Sequence, residues 1–226
     1  MNSQKDKRVD EKIKTVENRY ENVPNLDILK AFGLSGEPVL LDGGQGTCYV
    51  VGDIVLKQTK DSVESSWLAE TSDSLKSSYF RVPKSLKTND GSWVYNGWVA
   101  IEFMDGKHRP GHLAEMIEVS KEFHKALVGI PKPDFFDKKT DPFSIADKIA
   151  WGELPVPDFK PANESLKKLF GLLEENRLSN QLIHGDWGEG NILFHDTLPP
   201  AVIDMTPYFR PADFPIADMI ICNIVN

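Results

Sequence analysis

Asp186, Asn191 and Asp204, three oxygen-bearing side chains, lie close together in this sequence. The stretch that carries them is His184-Gly185-Asp186-Trp187-Gly188-Glu189-Gly190-Asn191-Ile192-Leu193-Phe194, followed by Ala201-Val202-Ile203-Asp204. It reads as a strand, a tight polar loop, a second strand, a turn, and a strand that ends on a carboxylate. That order can hold Asp186, Asn191 and Asp204 around one point. Magnesium takes oxygen ligands and is commonly bound by one or two carboxylates together with a substrate's phosphates. Phosphoryl transfer uses such an ion, plus a carboxylate placed to accept the proton of an attacking hydroxyl. The plain structural alternative is a turn between strands built by Asp186, Gly188 and Gly190. A bare turn does not call for the full pattern with its downstream Ile-Asp.

The elements that must position these residues can be read from periodicity and punctuation. Val9, Ile13, Val16 and Tyr20 fall at helical spacing in the charge-dense first 22 residues, which predicts a loosely attached amphipathic helix. A second helix is expected after Pro24, with Asn25 as cap and Gly33 as stop. Residues 38–41, 47–51 and 53–58 read as short strands, separated by Gly43-Gly44-Gln45-Gly46 and by a Gly52-Asp53 turn. Residues 62–74 read as a helix, and residues 93–103 hold two strand-like runs around Asn96-Gly97.

From Gly111 the pattern changes. Leu113, Met116, Ile117, Ser120, Phe123 and Leu127 make one face of a long helix. A Pro- and Asp-rich stretch over 131–161 carries a short helix at 143–151, and Leu166, Leu169, Phe170 and Leu173 mark another. Residues 181–184, 192–194 and 201–204 are strand-like. The expected fold class is therefore α+β in two lobes: a strand-rich first lobe over 1–104, a helix-rich second lobe over 105–226, and a cleft between them.

The loop spacing matches H-x-D-x-x-x-x-N, the kinase catalytic-loop pattern, with Gly185 where protein kinases have Arg. The segment resembles the aminoglycoside phosphotransferase-like kinases, whose hallmark is H-G-D-x-x-x-x-N followed by I-D. The resemblance is strong over about 181–219 and moderate over 41–102. It implies a protein-kinase-like fold that phosphorylates a hydroxyl of a small molecule with ATP and Mg²⁺. On that basis Asp186 is the catalytic base, Asn191 and Asp204 are the magnesium ligands, and His184 is a structural member of the loop. Asp218 is similar to a later aspartate that braces the loop.

The same resemblance gives roles to the first lobe. Gly43, Gly44, Gln45, Gly46 and Thr47 would fold over the phosphates, although a glycine pair between strands is by itself only a hairpin signal. Lys57 ends its strand as the phosphate-pairing lysine does, whereas on its own it reads as a solvated charge. Glu64 is preferred over Glu70 as its carboxylate partner, because Trp67 and Leu68 follow at core-facing spacing. Glu102, Phe103 and Met104 would be the hinge that meets the adenine edge, an assignment resting on order along the chain. His124 is expected as a core histidine, Cys48 as a small strand residue, and Trp187 as either an acceptor contact or a lid on the sheet.

Composition narrows the setting. The 226 residues carry 26 basic and 34 acidic side chains, a net charge of −8, with no basic stripe, so nucleic acid is not the expected partner. No apolar run is long enough for a membrane span, and the polar start lacks a signal-peptide core, so a cytoplasmic protein is expected. Cys48 and Cys222 are too few for a disulfide framework. Members of the family generally continue through further helices beyond the one starting near Pro215. The resemblance therefore implies a shortened helical set, and a site that homo-oligomerisation could complete. The alternative function is a nucleotide-binding regulatory or scaffold protein of the same fold. Six carboxylates and five lysines in 131–161 give no sign of a pocket for a polycation.

Overall fold

A computed structural model describes residues 23–42, 46–155, 164, 165, 168, 171, 172 and 178–225. The helix expected in 1–22, the segment Gly43-Gly44-Gln45 and the helix expected around Leu166, Leu169, Phe170 and Leu173 lie outside the described residues. The chain divides into two compact units. One runs up to Pro110 and takes in Glu189–Asp204; the other comprises Gly111–Gly188 and Met205–Asn226.

In the first unit Asn25 caps helix α1 (Leu26–Ala31), its side-chain oxygen accepting the N–H groups of Asp27 and Ile28 at 3.1 Å each. An antiparallel five-stranded sheet follows: β1 (Val39–Leu40), β2 (Cys48–Val51), β3 (Ile54–Gln58), β4 (Ser85–Leu86) and β5 (Trp98–Glu102), in the order β1-β2-β3-β5-β4. Between β3 and β4 lies α2 (Ser62–Ser74), matching the sequence reading; the Asp61 carboxylate starts it by accepting from Val63 and Glu64 N–H at 3.0 Å.

Side chains alternate across a strand, so β3 sends Leu56 one way and Lys57 the other. Tyr49, Val51, Leu56, Trp98 and Ala100 bury with Ile28, Leu29 and Phe32 of α1 and its cap. Each large apolar side chain in that cluster contributes about 2 kcal/mol of burial. Lys57 stands on the other face, in a row with Cys48 and Val99.

The two strand-like runs around Asn96-Gly97 are resolved differently from expectation. Asn96 and Gly97 take φ of 46° and 75°, the two-residue turn of a hairpin, and Tyr95 and Trp98 exchange backbone hydrogen bonds at 3.0 and 2.9 Å. Only the second run continues as a strand, because β5 has β3 and β4 on its two sides while the first run ends after one bridge.

The second unit begins with α3 (Leu113–Ala126), which buries Met116, Val119, Ser120, Phe123 and His124. Helices α4 (Phe135–Lys138) and α5 (Pro142–Ala150) follow. Strand β6 (Gln181–His184) then enters the loop that leads, in the first unit, to β7 (Ile192–Leu193) and β8 (Ala201–Val202). Back in the second unit, β9 (Pro207–Arg210) pairs antiparallel with β6, from Gln181↔Arg210 to His184↔Pro207, and α6 (Phe214–Val225) follows.

Arg210 ties α5 to the strand pair. Its side chain is only 5% exposed and donates to Asp147 at 2.9 Å through Nε and again through Nη2. It also donates to Glu153 at 2.6 Å and lies 5.2 Å from the Trp151 ring centre. Burial works against its charge, but the Asp147 and Glu153 carboxylates outweigh that and hold its pKa above the usual value. Arg210→Ala leaves two carboxylates without their cation, so urea denaturation should show a loss of about 3 kcal/mol. Arg210→Lys should recover only part of it, since an ammonium cannot fork to Asp147.

Candidate functional site

Lys57 and Asp204 form an ion pair, although 147 positions separate them in sequence. β3 presents Lys57 on the sheet face opposite the core, with Cys48 directly across the strand pair. Asp204 sits just past β8 with φ of 56°, in the left-handed region that Asp and Asn enter more readily than other side chains. Side-chain exposure of 36% for Lys57 and 51% for Asp204 leaves both accessible to solvent. Burial pushes the Cys48 thiol pKa up, with the Lys57 charge opposing and the Asp204 charge reinforcing.

Several hydrogen bonds fix the segment that carries Asn191 and Asp204. The Ile203 N–H donates to the Asn191 carbonyl at 3.0 Å, joining the neighbour of one predicted ligand to the backbone of the other. His108 Nδ1 lies 2.9 Å from the Glu189 carbonyl and 3.2 Å from that of Ile192, bracketing Asn191. Both partners accept, so Nδ1 carries the proton. Arg81 donates through Nε to Pro199 O and through Nη2 to Asp105 O, each at 2.8 Å. Lys107 and Phe194 exchange backbone hydrogen bonds at 2.8 Å. Gly106 permits that approach: with φ of 152°, a Cβ there would meet Leu193 Cβ at 2.9 Å and Phe194 O at 3.0 Å.

In the second unit Asp186 is exposed and its backbone N–H donates to His184 Nδ1 at 3.3 Å. The Thr206 N–H donates to the same nitrogen at 3.4 Å. His184 is fully buried, as the structural reading of that residue expects. Gly185 must lack a side chain, because a Cβ would come within 2.2 Å of the Tyr208 ring. Around Gly188 and Gly190 a Cβ would meet nothing within 4 Å, so space there does not demand glycine. Trp187 is 2% exposed, ringed by Phe123, His124 and His184 at centroid distances of 5.6, 5.3 and 5.7 Å. It belongs to the unit's interior, and its indole N–H has no hydrogen-bond partner among the described residues.

The remaining predicted residues fall as follows. Gly46 and Thr47 lead into β2. Glu64 lies half-buried in the first turn of α2, where the helix dipole favours a carboxylate, whereas Glu70 is exposed. Glu102 and Phe103 give their N–H groups to Lys84 O and Asp53 O at 2.8 Å. Met104 is buried with Leu193, Ala201 and Ile203. Asp218 is exposed on α6. Sequence reasoning did not single out His108 or Arg81; both act on carbonyls at least 24 positions away, and no local signal marks them. A hollow of 410 Å³ beside Gln181 and Arg210 is lined by none of the predicted residues. Among the described residues no three His, Cys, Asp or Glu side chains gather to hold a metal, and no helix is long and apolar enough to cross a membrane.

The model of the APH family, described as a phosphotransferase enzyme family, matches residues 47–207. Among curated proteins no sequence match was found. Three of the solved structures that share the fold illustrate it. Amicoumacin kinase hAmiN, in complex with AMP-PNP, Ca²⁺ and Ami, aligns at 15% identity and a TM-score of 0.58, over 97% of this chain and 71% of that one. A choline/ethanolamine kinase family protein from Mesorhizobium loti aligns at 16% and 0.57, over 94% and 71%. The streptomycin-ATP-APH(2")-IIa complex aligns at 16% and 0.53, over 85% and 75%. The fold is thus the kinase-like α+β fold of these enzymes.

Two measurements check the loop. Gly185→Ala should cost about 1–3 kcal/mol in chemical denaturation, because the new methyl overlaps the Tyr208 ring. Tyr208→Ala in the same chain should return part of that loss. The second concerns His124, whose pKa burial lowers from 6.5 to about 4, with the His184 charge adding to the effect and the Ser120 carbonyl opposing it. The folded state keeps this imidazole neutral while the unfolded chain protonates it below about pH 6.5. Its contribution is therefore complete above pH 6.5 and is lost as pH falls toward 4, by up to about 3 kcal/mol. A stability-against-pH series should show that slope in the native protein and lose it in His124→Gln.

Proposed function

This chain belongs to the phosphotransferase enzyme family, and on that premise we propose that it transfers the γ-phosphate of ATP to a hydroxyl of a small molecule. One observation carries the reading. Lys57 and Asp204, distant in sequence, meet on the solvent-accessible face of the sheet, and the neighbour of Asp204 is hydrogen-bonded to Asn191.

The donor set suits magnesium. Asn191 and Asp204 offer oxygens only, and Mg²⁺ takes its remaining ligands from phosphates and water. When bound with nucleotide, the ion neutralises charge on the phosphate oxygens. The chain's own side chains do the rest in this reading. Lys57 pairs with phosphate oxygens, and the backbone N–H groups of Gly46 and Thr47 help to cover them. Glu64, the less exposed of the two candidates, orients the lysine. Since Glu102 and Phe103 spend their N–H groups within the sheet, contacts to the adenine edge come from carbonyls and from Met104 onward. Asp186, exposed and held by its backbone N–H, takes the proton of the acceptor hydroxyl.

The acceptor is a hydroxyl compound, and the nearly balanced charge of 131–161 favours no polycationic antibiotic over a sugar or an amino alcohol. A thermal-shift series with ATP and MgCl₂, followed by an ADP-release screen over hydroxyl compounds, tests the reading. Stabilisation by nucleotide with no acceptor-dependent ADP release would instead support a binding module.

Two variants assign the roles. Asp186→Asn should keep Mg-ATP affinity within a few-fold and cut transfer by about 10²-fold, the scale of a positioned base. Asp204→Asn, which still tolerates the left-handed backbone, should instead weaken Mg-ATP binding in calorimetric titration. Equal losses of affinity in the two variants would show the roles to be misassigned.

A further inference from the structure

We propose that His124 is a positioning residue for this transfer, holding the catalytic loop through its Nε2. The inference rests on the phosphotransferase reading for its consequence, but not for its geometry. His124 is 2% exposed on α3. Its Nδ1 lies 2.8 Å from the Ser120 carbonyl and 3.0 Å from the Ser120 hydroxyl. Its Nε2 lies 3.1 Å from the backbone nitrogen of His184. A carbonyl can only accept and a backbone N–H can only donate, so Nδ1 carries the proton and Nε2 is the acceptor.

What Nε2 accepts is the significant part. Among the described residues β6 has one partner strand, β9. In an antiparallel pair successive N–H groups point to alternate edges. Gly185 N–H donates across to Thr206 O at 2.8 Å, so the N–H of His184, one residue earlier, points to the other edge. There the His124 imidazole stands where a third strand would be. Gln181 Nε2 reinforces the attachment by donating to the His124 carbonyl at 2.6 Å.

The connection then passes to the base. The His184 imidazole accepts the N–H of Asp186 through Nδ1. A chain of hydrogen bonds therefore runs from α3 through His124 to the main chain of His184, and from the His184 ring to the main chain of Asp186. Both imidazoles act as acceptors, so each needs one nitrogen without a proton. A purely packing histidine of the same volume would not need its Nε2 on that N–H. Lys57, Asn191 and Asp204 belong to the other unit, so loss of this anchor should act on turnover and not on nucleotide binding.

The paired variants His124→Asn and His124→Gln test the acceptor. Gln can place an oxygen where Nε2 stands; Asn is polar and foldable but too short to reach the His184 N–H. Melting curves and circular dichroism of both establish that they fold. With the acceptor returned by the ADP-release screen, His124→Asn should lower kcat by about tenfold or more, within the range known for a small misplacement of a reacting group. Its KM for Mg-ATP should stay within about twofold, and His124→Gln should restore kcat to within about threefold of the native value.

Amide hydrogen exchange at His184 gives a readout independent of activity. It should speed about tenfold or more in the Asn variant and remain near native in the Gln variant. Equal kcat in two folded variants, or equal exchange at His184, overturns the proposal. If the native protein transfers phosphate to no acceptor, the phosphotransferase reading fails. The exchange comparison then still decides whether Nε2 holds the loop.

Discussion

The docking of residues 189–204 onto the first unit is the constraint on which the candidate site depends. This hairpin comes late in the chain, yet it folds with the amino-terminal sheet. Its ion pair with Lys57 does not suffice to hold it there, because an exposed pair is worth at most about 1 kcal/mol. The attachment comes from contacts that water cannot easily replace. Arg81 spans Pro199 and Asp105, Lys107 and Phe194 exchange hydrogen bonds, and Met104 packs on Leu193 and Ala201. Gly106 is part of the same design, since any side chain there would push the two backbones apart. With the hairpin fixed, Asp204 is delivered to the Lys57 face of β3, and the pair follows from the docking.

The second unit solves a different problem. The loop after β6 has few regular hydrogen bonds of its own, and among the described residues β6 pairs on one side only, with β9. The fold satisfies the other edge with an imidazole from α3, and it satisfies the turn with the ring of His184. Phe123 and Trp187 pack against these rings, so polar and aromatic contacts are interleaved in one buried cluster. Such a cluster is sensitive to protonation, because burial in aromatic surroundings disfavours an imidazolium. Rigidity of the loop and neutrality of His124 are thus two aspects of the same arrangement.

In the proposed function, nucleotide and metal would be met by the unit that holds Lys57, Asn191 and Asp204, whereas Asp186 belongs to the unit that holds α3 and β9. The unit boundary at Gly188 falls inside the H-G-D-x-x-x-x-N segment. One short motif therefore spans both compact units. Its two ends are supported by unrelated residues, His108 and Ile203 around Asn191 and His184 at Asp186.

By itself the sequence determined whatever depends on neighbours a few positions apart. Helix α2 was legible at its observed bounds, 62–74, β6 from its apolar run, and the Asn96-Gly97 turn from residues that tolerate positive φ. The Asp186–Asn191–Asp204 spacing and the outward position of Lys57 on its strand were legible for the same reason, since period and loop length are local. Only the tertiary structure decided the remainder. β4 and β9 are too short or too irregular to signal themselves, and they exist because β5 and β6 offer them an edge. The first run before Asn96 reads as a strand but has no such partner beyond one bridge. Arg81, His108, His124 and Arg210 look ordinary in sequence, and each has a partner 24 to 118 positions away. Hydrogen bonds at such separations form only after the intervening chain has been ordered, so no local pattern announces them.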